Sequence, residues 1–409
     1  KKNNTEAFMN LLYDLSATQP SPESKFHGGG VYGEVVFFKL LEYLDKFNLI
    51  CYYNAEAYLN PKILSAIKEY DIKLYDLNRK NIEEILKEEK IDRIYSAMLN
   101  LNQNIPLGKT EVYTTVHGLR TLEMPFDKIM LSYATSLKEK IKFLLFMTLA
   151  KKIYLKKLKI INGRLVADKR INVITISNHS LASIKSFYPE TQSKEIPVFA
   201  SPTFNQLENH RQLEKINIDE CAKNNFPKYN IQEGKFFLIT SAARWTKNAL
   251  RAIWAFDSLF SDRIALDFKV VITGVTNKKI FTRKIKHPEH FVFLGYVDRD
   301  FLEALTAKQY AFIYPSLNEG FGYPPIESFK YGIPVAASGT SSIPEVCGNA
   351  AIYFDPYSVS EIKNRIVQLL DKNIYDEYSK RAEKQFKIVS EKQKEDLQKL
   401  AEYIIGFHS

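Results

Sequence analysis

The sequence predicts an α/β protein built as two Rossmann-like, doubly wound domains. Three observations carry that prediction. Short apolar runs rich in β-branched and aromatic residues alternate with longer stretches of helical apolar spacing, the pattern of parallel strands joined by crossover helices. The strand candidates fall into two groups separated by a polar stretch bearing Pro197, Pro202 and Pro227. The length of 409 residues, at 45% hydrophobic and 25% charged, suits two globular domains and excludes disorder, collagen or coiled coil as the main architecture.

In chain order, the first strand candidate is 8–15. A long loop follows, ending in His27-Gly28-Gly29-Gly30-Val31-Tyr32-Gly33, and then a helical pattern over 35–47. Glycines let backbone N–H groups approach an anion, so Gly29 and Gly30 are candidate ligand contacts. The spacing is neither the GxGxxG of dinucleotide sites nor a Walker A loop. Strands at 49–53, 93–97, 111–116 and 173–176 complete the first group. The second group is 236–240, 268–273, 291–294, 311–314, 334–337 and 351–354, with a helix at 249–260 and a bridging helix at 206–217. The domains expected are 1–198, 199–385 and a C-terminal helical segment, 386–409, returning to the first domain.

Lys and Arg number 57 against 47 Asp and Glu, a net charge of +10, which points to an anionic partner without choosing among a phosphorylated ligand, a membrane and nucleic acid. Three scattered cysteines, Cys51, Cys221 and Cys347, argue against a disulfide framework or a cysteine zinc site and for a reduced, cytoplasmic setting. No run approaches the roughly 20 apolar residues of a membrane span. Residues 136–162 carry eight lysines, Lys138 through Lys159, around an apolar run, with Glu139 the single acidic residue. This reads as a basic amphipathic helix on an anionic membrane surface, which would make the protein peripheral on the inner face of the cell membrane.

Two stretches carry chemistry. Arg244 and Lys247 follow the strand at 236–240 and precede a helix, at the edge where open α/β sheets bind ligands. Cations are disfavoured at a helix N-terminus unless an anion joins them, which favours a phosphate there. The strand at 311–314 runs into Glu319-Gly320-Phe321-Gly322-Tyr323-Pro324-Pro325-Ile326-Glu327. Two carboxylates on that edge can accept hydrogen bonds from paired sugar hydroxyls, and the amides of Phe321, Gly322 and Tyr323 lie where a helix N-terminus would hold an oxyanion. Asp298-Arg299-Asp300 has the form of a metal-binding DxD, but it opens a helix, where acidic residues serve as caps.

Glu319 and Glu327, with seven residues between them, resemble the E-x7-E signature of the GT-B, family 4 type of retaining glycosyltransferases. Residues 328–356, Arg244 with Lys247-Asn248, and Phe293-Leu294-Gly295-Tyr296-Val297 resemble that family too. In the first half, Thr115-Val116-His117-Gly118-Leu119-Arg120 resembles its strand-end histidine and the Gly28–Gly33 stretch its first glycine loop. The match is specific over 236–356 and looser before it. It implies a GT-B architecture, two Rossmann-like domains facing across a cleft. Arg244 and Lys247 would neutralise the donor diphosphate, and Glu327 would hold the ribose. Glu319 would sit by the donor sugar with the Phe321, Gly322 and Tyr323 amides. Tyr296 and Val297 would contact the base, and His117 would lie near the reacting sugar. The spacing from Arg244 to Lys247 is shorter than the family's commoner one.

The function so implied is metal-independent, retaining transfer of a hexose from a nucleoside-diphosphate sugar to a glycan or lipid-linked acceptor, in bacterial O-antigen or capsule assembly. No cofactor and no nucleic acid are expected. The alternatives are a nucleotide-sugar epimerase or phosphorylase of the same fold and, outside enzymes, a basic nucleic-acid-binding protein.

Overall fold

The computed structural model describes residues 8–20, 28–99, 109–148, 150–207 and 216–407. The chain divides into two compact units. One comprises 1–119, 157–211 and 390–409, the other 120–156 and 212–389.

The first unit is built on a six-stranded, all-parallel sheet: β1 (Met9–Asp14), β2 (Phe47–Tyr53), β3 (Lys73–Asp76), β4 (Arg93–Ser96), β5 (Glu111–Val116) and β6 (Ile171–Thr175). Their order is β3-β2-β1-β4-β5-β6. Successive strands step outward from β1 on both sides, so the sheet reverses direction between β1 and β4. Leu11, Leu12 and Tyr13 of β1 are fully buried, as a strand covered on both faces requires.

β3 is absent from the sequence-based expectation, which has eleven strands where the described residues hold twelve. Lys73-Leu74-Tyr75-Asp76 is an edge strand, exposed or half-buried throughout, so it lacks the apolar run that marks the inner strands. The glycine stretch is a second correction. It is not a loop: helix α1 (Gly28–Leu40) begins at the first glycine, and 35–47 is not one helix, because a 3-10 turn follows α1 and Phe47 opens β2. The cost of glycine in a helix is offset by close approach. A Cβ on Gly33 would lie 2.9 Å from the Thr18 Cγ2 and 3.0 Å from the Ala97 Cβ.

Residues 136–162 form two helices rather than one, α2 (Leu137–Thr148) and α3 (Lys151–Val166). None of α2 is buried. Most of the bridging helix expected at 206–217 lies outside the described residues.

The second unit repeats the plan with β7 (Phe236–Ile239), β8 (Lys269–Ile272), β9 (Phe291–Phe293), β10 (Ala311–Tyr314), β11 (Val335–Ser338) and β12 (Ala351–Phe354), in the order β12-β11-β10-β7-β8-β9. Every residue of β7, β10 and β11 is buried. Helix α4 (Ala249–Ser261) lays Ile253, Phe256 and Phe260 into a core shared with Phe237, Ile239, Val270, Ile272 and Ile313. Helix α5 (Arg299–Lys308) is capped by Asp298, whose carboxylate accepts from the Phe301 amide at 2.8 Å. Helix α6 (Tyr323–Phe329) has prolines in its first turn, where a missing N–H costs least. Of the long last helix, α7 (Lys372–Ile405), the part from Ser390 belongs to the first unit, where Asp396 accepts from the Ala200 amide at 2.7 Å and Gln393 donates to the Ser201 carbonyl.

The approach of α1 to the first sheet generates a test. Gly33→Val gains helix propensity worth a few tenths of a kcal/mol but must displace Thr18 and the fixed Cβ of Ala97. Overpacking of this kind costs about 1–3 kcal/mol. Chemical denaturation should show a net loss of stability; an unchanged midpoint would contradict the packing role of this glycine.

Candidate functional site

In the second sheet the strand order reverses between β7 and β10, and the loops leaving the C-terminal ends of these two strands meet. Such a switch point is where open α/β sheets leave a crevice for ligand. The loop after β7 carries Ser241 in the left-handed region, at φ 60°, then Arg244, Lys247 and Asn248. Gly274, after β8, has φ +75°, and a Cβ there would lie 3.1 Å from the Ser241 Cα, so glycine is required for these loops to close together. Arg244 is exposed. Trp245–Lys247 is a turn of 3-10 helix, and α4 begins only after it, so the two cations precede the helix rather than open it.

Lys247 is 8% exposed, and its Nζ lies 2.6 Å from Glu319 Oε1. The same carboxylate oxygen accepts a short hydrogen bond from the Ser316 hydroxyl. Burial pulls the Lys247 pKa down and Glu319 opposes that; Arg244 and Arg120 add to the lowering. Burial would raise the Glu319 pKa, but Lys247 and the hydrogen bonds to its carboxylate outweigh it, so Glu319 is held below the usual glutamate range. The backbone of Glu319 is fixed as well. Its amide donates to Ser341 Oγ at 2.9 Å, and its carbonyl accepts from Ser342 Oγ at 2.9 Å. The Leu317 amide donates to the Thr246 carbonyl at 2.9 Å, tying the two loops directly.

Phe321 and Gly322 are buried and Tyr323 is half-buried; Gly322 takes φ 103° and starts α6. Glu327 lies on α6 with different neighbours. It is exposed as a residue while its carboxyl is crowded by protein; that crowding and the nearby Glu303 carboxylate raise its pKa, with Lys330 and Arg299 opposing. The structure thus brings Lys247, Glu319 and Arg244 together and gives Glu327 a separate setting. Tyr296, 75% exposed, and half-buried Val297 stand on the loop after β9.

The remaining expected residues belong to the first unit. His117 follows β5. Its Nε2 is 2.9 Å from the Ala97 carbonyl, which assigns the proton to that nitrogen, and the Tyr32 ring meets the imidazole edge-on at 4.9 Å. Gly29 and Gly30 are helical, and a Cβ on Gly29 would lie 2.4 Å from Met98 Sδ. At this sheet's own reversal, buried Asp14 at the end of β1 accepts from the Ser96 hydroxyl at 2.6 Å.

Several contributors escape sequence reasoning. Ser316, Ser341 and Ser342 look like ordinary loop serines. Arg120 has no role of its own in the resembling stretch, and here it is part of the second unit's electrostatics around Lys247. Asn318 donates to Glu123, and Arg251 Nη2 lies 2.9 Å from Asp127 Oδ1, contacts more than a hundred residues apart that no local pattern reveals.

Residues 222–387 match the family described as Glycosyl transferases group 1. O-antigen chain mannosyltransferase B of Escherichia coli is 44% identical over 78 residues, 19% of this chain and 20% of that protein. The stretches matched span only 10–41% of the lengths of the curated relatives. Among solved structures, WaaG, a glycosyltransferase involved in lipopolysaccharide biosynthesis, superposes with a TM-score of 0.62 over 96% of this chain and 99% of its own, at 13% identity. Anabaena Alr3699/HepE in complex with UDP-glucose gives 0.61 over 97% and 99%, at 12% identity. At such identities the likeness shows the fold, the two Rossmann-like domains of GT-B glycosyltransferases.

The buried pair can be tested without any ligand. Lys247→Met leaves the Glu319 carboxylate buried and unpaired, and should cost about 3–5 kcal/mol in chemical denaturation. Adding Glu319→Gln should recover part of that loss; strictly additive losses would refute the coupling. Because the folded pKa of Glu319 is lowered, its contribution is present above the ordinary glutamate value and fades as pH falls through the folded value. Glu319→Gln should remove that component of the acid loss.

Proposed function

We propose that this chain, whose residues 222–387 are a glycosyl transferases group 1 domain, is a retaining glycosyltransferase. It moves a hexose from a nucleoside-diphosphate sugar to a glycan or lipid-linked acceptor in bacterial surface-polysaccharide assembly. The observation that carries this reading is the buried ion pair of Lys247 and Glu319 at the switch point of the second sheet, with Arg244 beside it.

A departing nucleoside diphosphate gathers negative charge on its β-phosphate. Cations held in place before the reaction stabilise that charge without reorganising, an effect worth about 3–4 kcal/mol for each fixed donor. Exposed Arg244 meets the diphosphate from solvent, and Lys247 is pre-set by Glu319. One Glu319 oxygen is engaged by both Lys247 and Ser316, which makes the carboxylate a poor nucleophile and a good positioning group for the sugar. A covalent glycosyl-enzyme of the two-carboxylate kind is therefore not invoked. The acceptor oxygen bonds to the anomeric carbon on the face the diphosphate leaves, the sugar–phosphate bond breaks, and the acceptor's proton passes to the leaving phosphate. With two side-chain cations on the diphosphate, the step is proposed to need no metal. Glu327 accepts from ribose hydroxyls, Tyr296 and Val297 face the base, His117 lies near the reacting sugar, and the backbone amides of Gly29 and Gly30 are ligand contacts. The name of the Escherichia coli relative makes a mannosyl donor the first to try.

The test is a thermal-shift series with UDP, GDP, dTDP, ADP and CDP, with and without Mg²⁺, followed by turnover with the sugar form of whichever nucleotide binds. One nucleotide should stabilise the wild type independently of Mg²⁺, by about 2.7 kcal/mol at a hundred times its Kd. Arg244→Ala should lower kcat more than it raises KM, and the product anomer read by NMR should match the donor's. No shift with any nucleotide at millimolar concentration, or an inverted anomer, would refute the proposal.

We also propose that α2 and α3 bind an anionic membrane. Leu137 and Ile153 are 74% and 75% exposed, Ile141, Leu145 and Ile160 about half exposed, and all eight lysines of 136–162 face solvent. Apolar side chains standing out among lysines suit the headgroup boundary of an acidic bilayer. No helix among the described residues is long and apolar enough to cross a membrane. Replacing Lys151, Lys152, Lys156 and Lys157 with Glu should abolish sedimentation with phosphatidylglycerol vesicles; unchanged binding would refute this.

A further inference from the structure

The residue after Lys247 is fully buried, and the sequence pattern gives it no role of its own. Asn248 has φ 56° and ψ 25°, the left-handed conformation that asparagine tolerates better than other side-chain-bearing residues. It does not cap α4 with its side chain. Instead Nδ2 donates to two carbonyls from distant loops, Pro315 at 3.0 Å and Pro356 at 2.8 Å. Oδ1 accepts from Arg251 Nη1 at 2.8 Å, and Arg251 Nη2 is held by Asp127 Oδ1 at 2.9 Å. Two carbonyl acceptors on one side and a guanidinium on the other allow only one orientation of the amide. Asp127 is in turn fixed by the Ile129 amide, which donates to it at 2.8 Å.

We infer that Asn248, oriented by Arg251 and Asp127, is the positioning residue that sets Lys247 against Glu319. Its backbone turn fixes where the Lys247 side chain leaves the loop. Its amide fastens that turn to the carbonyl of Pro315, the residue immediately before Ser316, which itself holds Glu319. One side chain thus ties the loop bearing the cation to the loop bearing the carboxylate, with the loop after β12 as a third anchor. Glycine would keep the turn and lose all three tethers. Aspartate would keep the turn and set a carboxylate against two carbonyl oxygens.

The inference concerns the same site as the transferase proposal but is tested without substrate. Glutamate carboxyls are labelled with ¹³C in the full chain, and the Glu319 resonance is assigned by its loss in Glu319→Gln. Its titration is then followed by NMR in wild type, Asn248→Gly and Asp127→Asn. The charged groups around the pair are Lys247, Arg244 and Arg120, with Ser316 and Tyr314 also beside the carboxylate. Released from Lys247, Glu319 should titrate at higher pH, further up in Asn248→Gly than in Asp127→Asn. A loss of stability alone would not move that midpoint. If Asn248→Gly fails to fold, Asp127→Asn decides. An unmoved midpoint in the folded variants overturns the inference, even if the enzyme transfers sugar as proposed. A moved midpoint supports it, even if no sugar nucleotide turns over.

Discussion

The second domain is organised around the burial of an ammonium and a carboxylate together. Each ion taken alone from water costs several kcal/mol, and their attraction repays this only at hydrogen-bond distance with the remaining oxygen and protons engaged. Lys247 and Glu319 are 72 residues apart in sequence, so the distance between them is as exact as the two loops that carry them. This accounts for the density of small polar residues around the pair. Ser338 donates to the Ser316 carbonyl, Ser341 receives the Glu319 amide, Ser342 holds the carbonyls of Glu319 and Phe321, and Thr246 accepts from Leu317. None of these groups needs to touch a ligand to matter. They fix the frame within which two charges tolerate burial.

The same sheet order serves different ends in the two domains. Both sheets reverse beside their first strand, and both put polar side chains at that reversal. In the first, the reversal is closed from within. Buried Asp14 is satisfied by Ser96, and Thr115 joins the Tyr32 and Tyr95 hydroxyls. α1 presses its glycines onto Met98, Thr18 and Ala97. In the second, the reversal keeps Arg244 in solvent and a charged pair just beneath it. Charge accessible at a switch point is open to an anionic ligand; buried, interlocked polar groups there serve packing. The group 1 match, residues 222–387, covers the second domain's sheet.

What could be read in the sequence follows from how local each cause is. The four inner strands of the second sheet were legible because strands covered on both faces are unbroken apolar runs, and its edge strands β9 and β12 happen to be apolar as well. β3 was not, since an edge strand with Lys73 and Asp76 at its ends has no need of such a run. The helix starting at Gly28 was hidden because glycine argues locally for a loop, and only the tight contact with Met98 and Ala97, some 65 residues away, shows why it is tolerated. Glu319, Lys247 and Arg244 stood out by residue type and by position at strand ends. Asn248 was visible only as part of the resembling Lys247-Asn248 stretch, and Arg251 and Asp127 not at all, because the tethers to Pro315, Pro356 and Asp127 cross 67 to 124 residues.

The two glutamates of the E-x7-E stretch show why shared spacing does not mean shared chemistry. Glu319 faces a cation and is held ionised, below its ordinary range. The Glu327 carboxyl is crowded by protein and, to a lesser degree, faced by the Glu303 charge, and is pushed the other way. Two carboxylates with opposite shifts are the arrangement that acid–base glycosidases use, but there the pair flanks one bond and works together. Here each has its own set of neighbours, and the low member already spends one oxygen on Lys247 and Ser316. A carboxylate so engaged is suited to holding a cation and a sugar in place. One whose charge is resisted by a like neighbour gains most from hydroxyl donors brought by a ligand. The difference between the two glutamates therefore lies in what surrounds each: one is held ionised by Lys247, the other is crowded by protein beside a like charge, and the proposed reaction assigns the first to the diphosphate and the second to a diol.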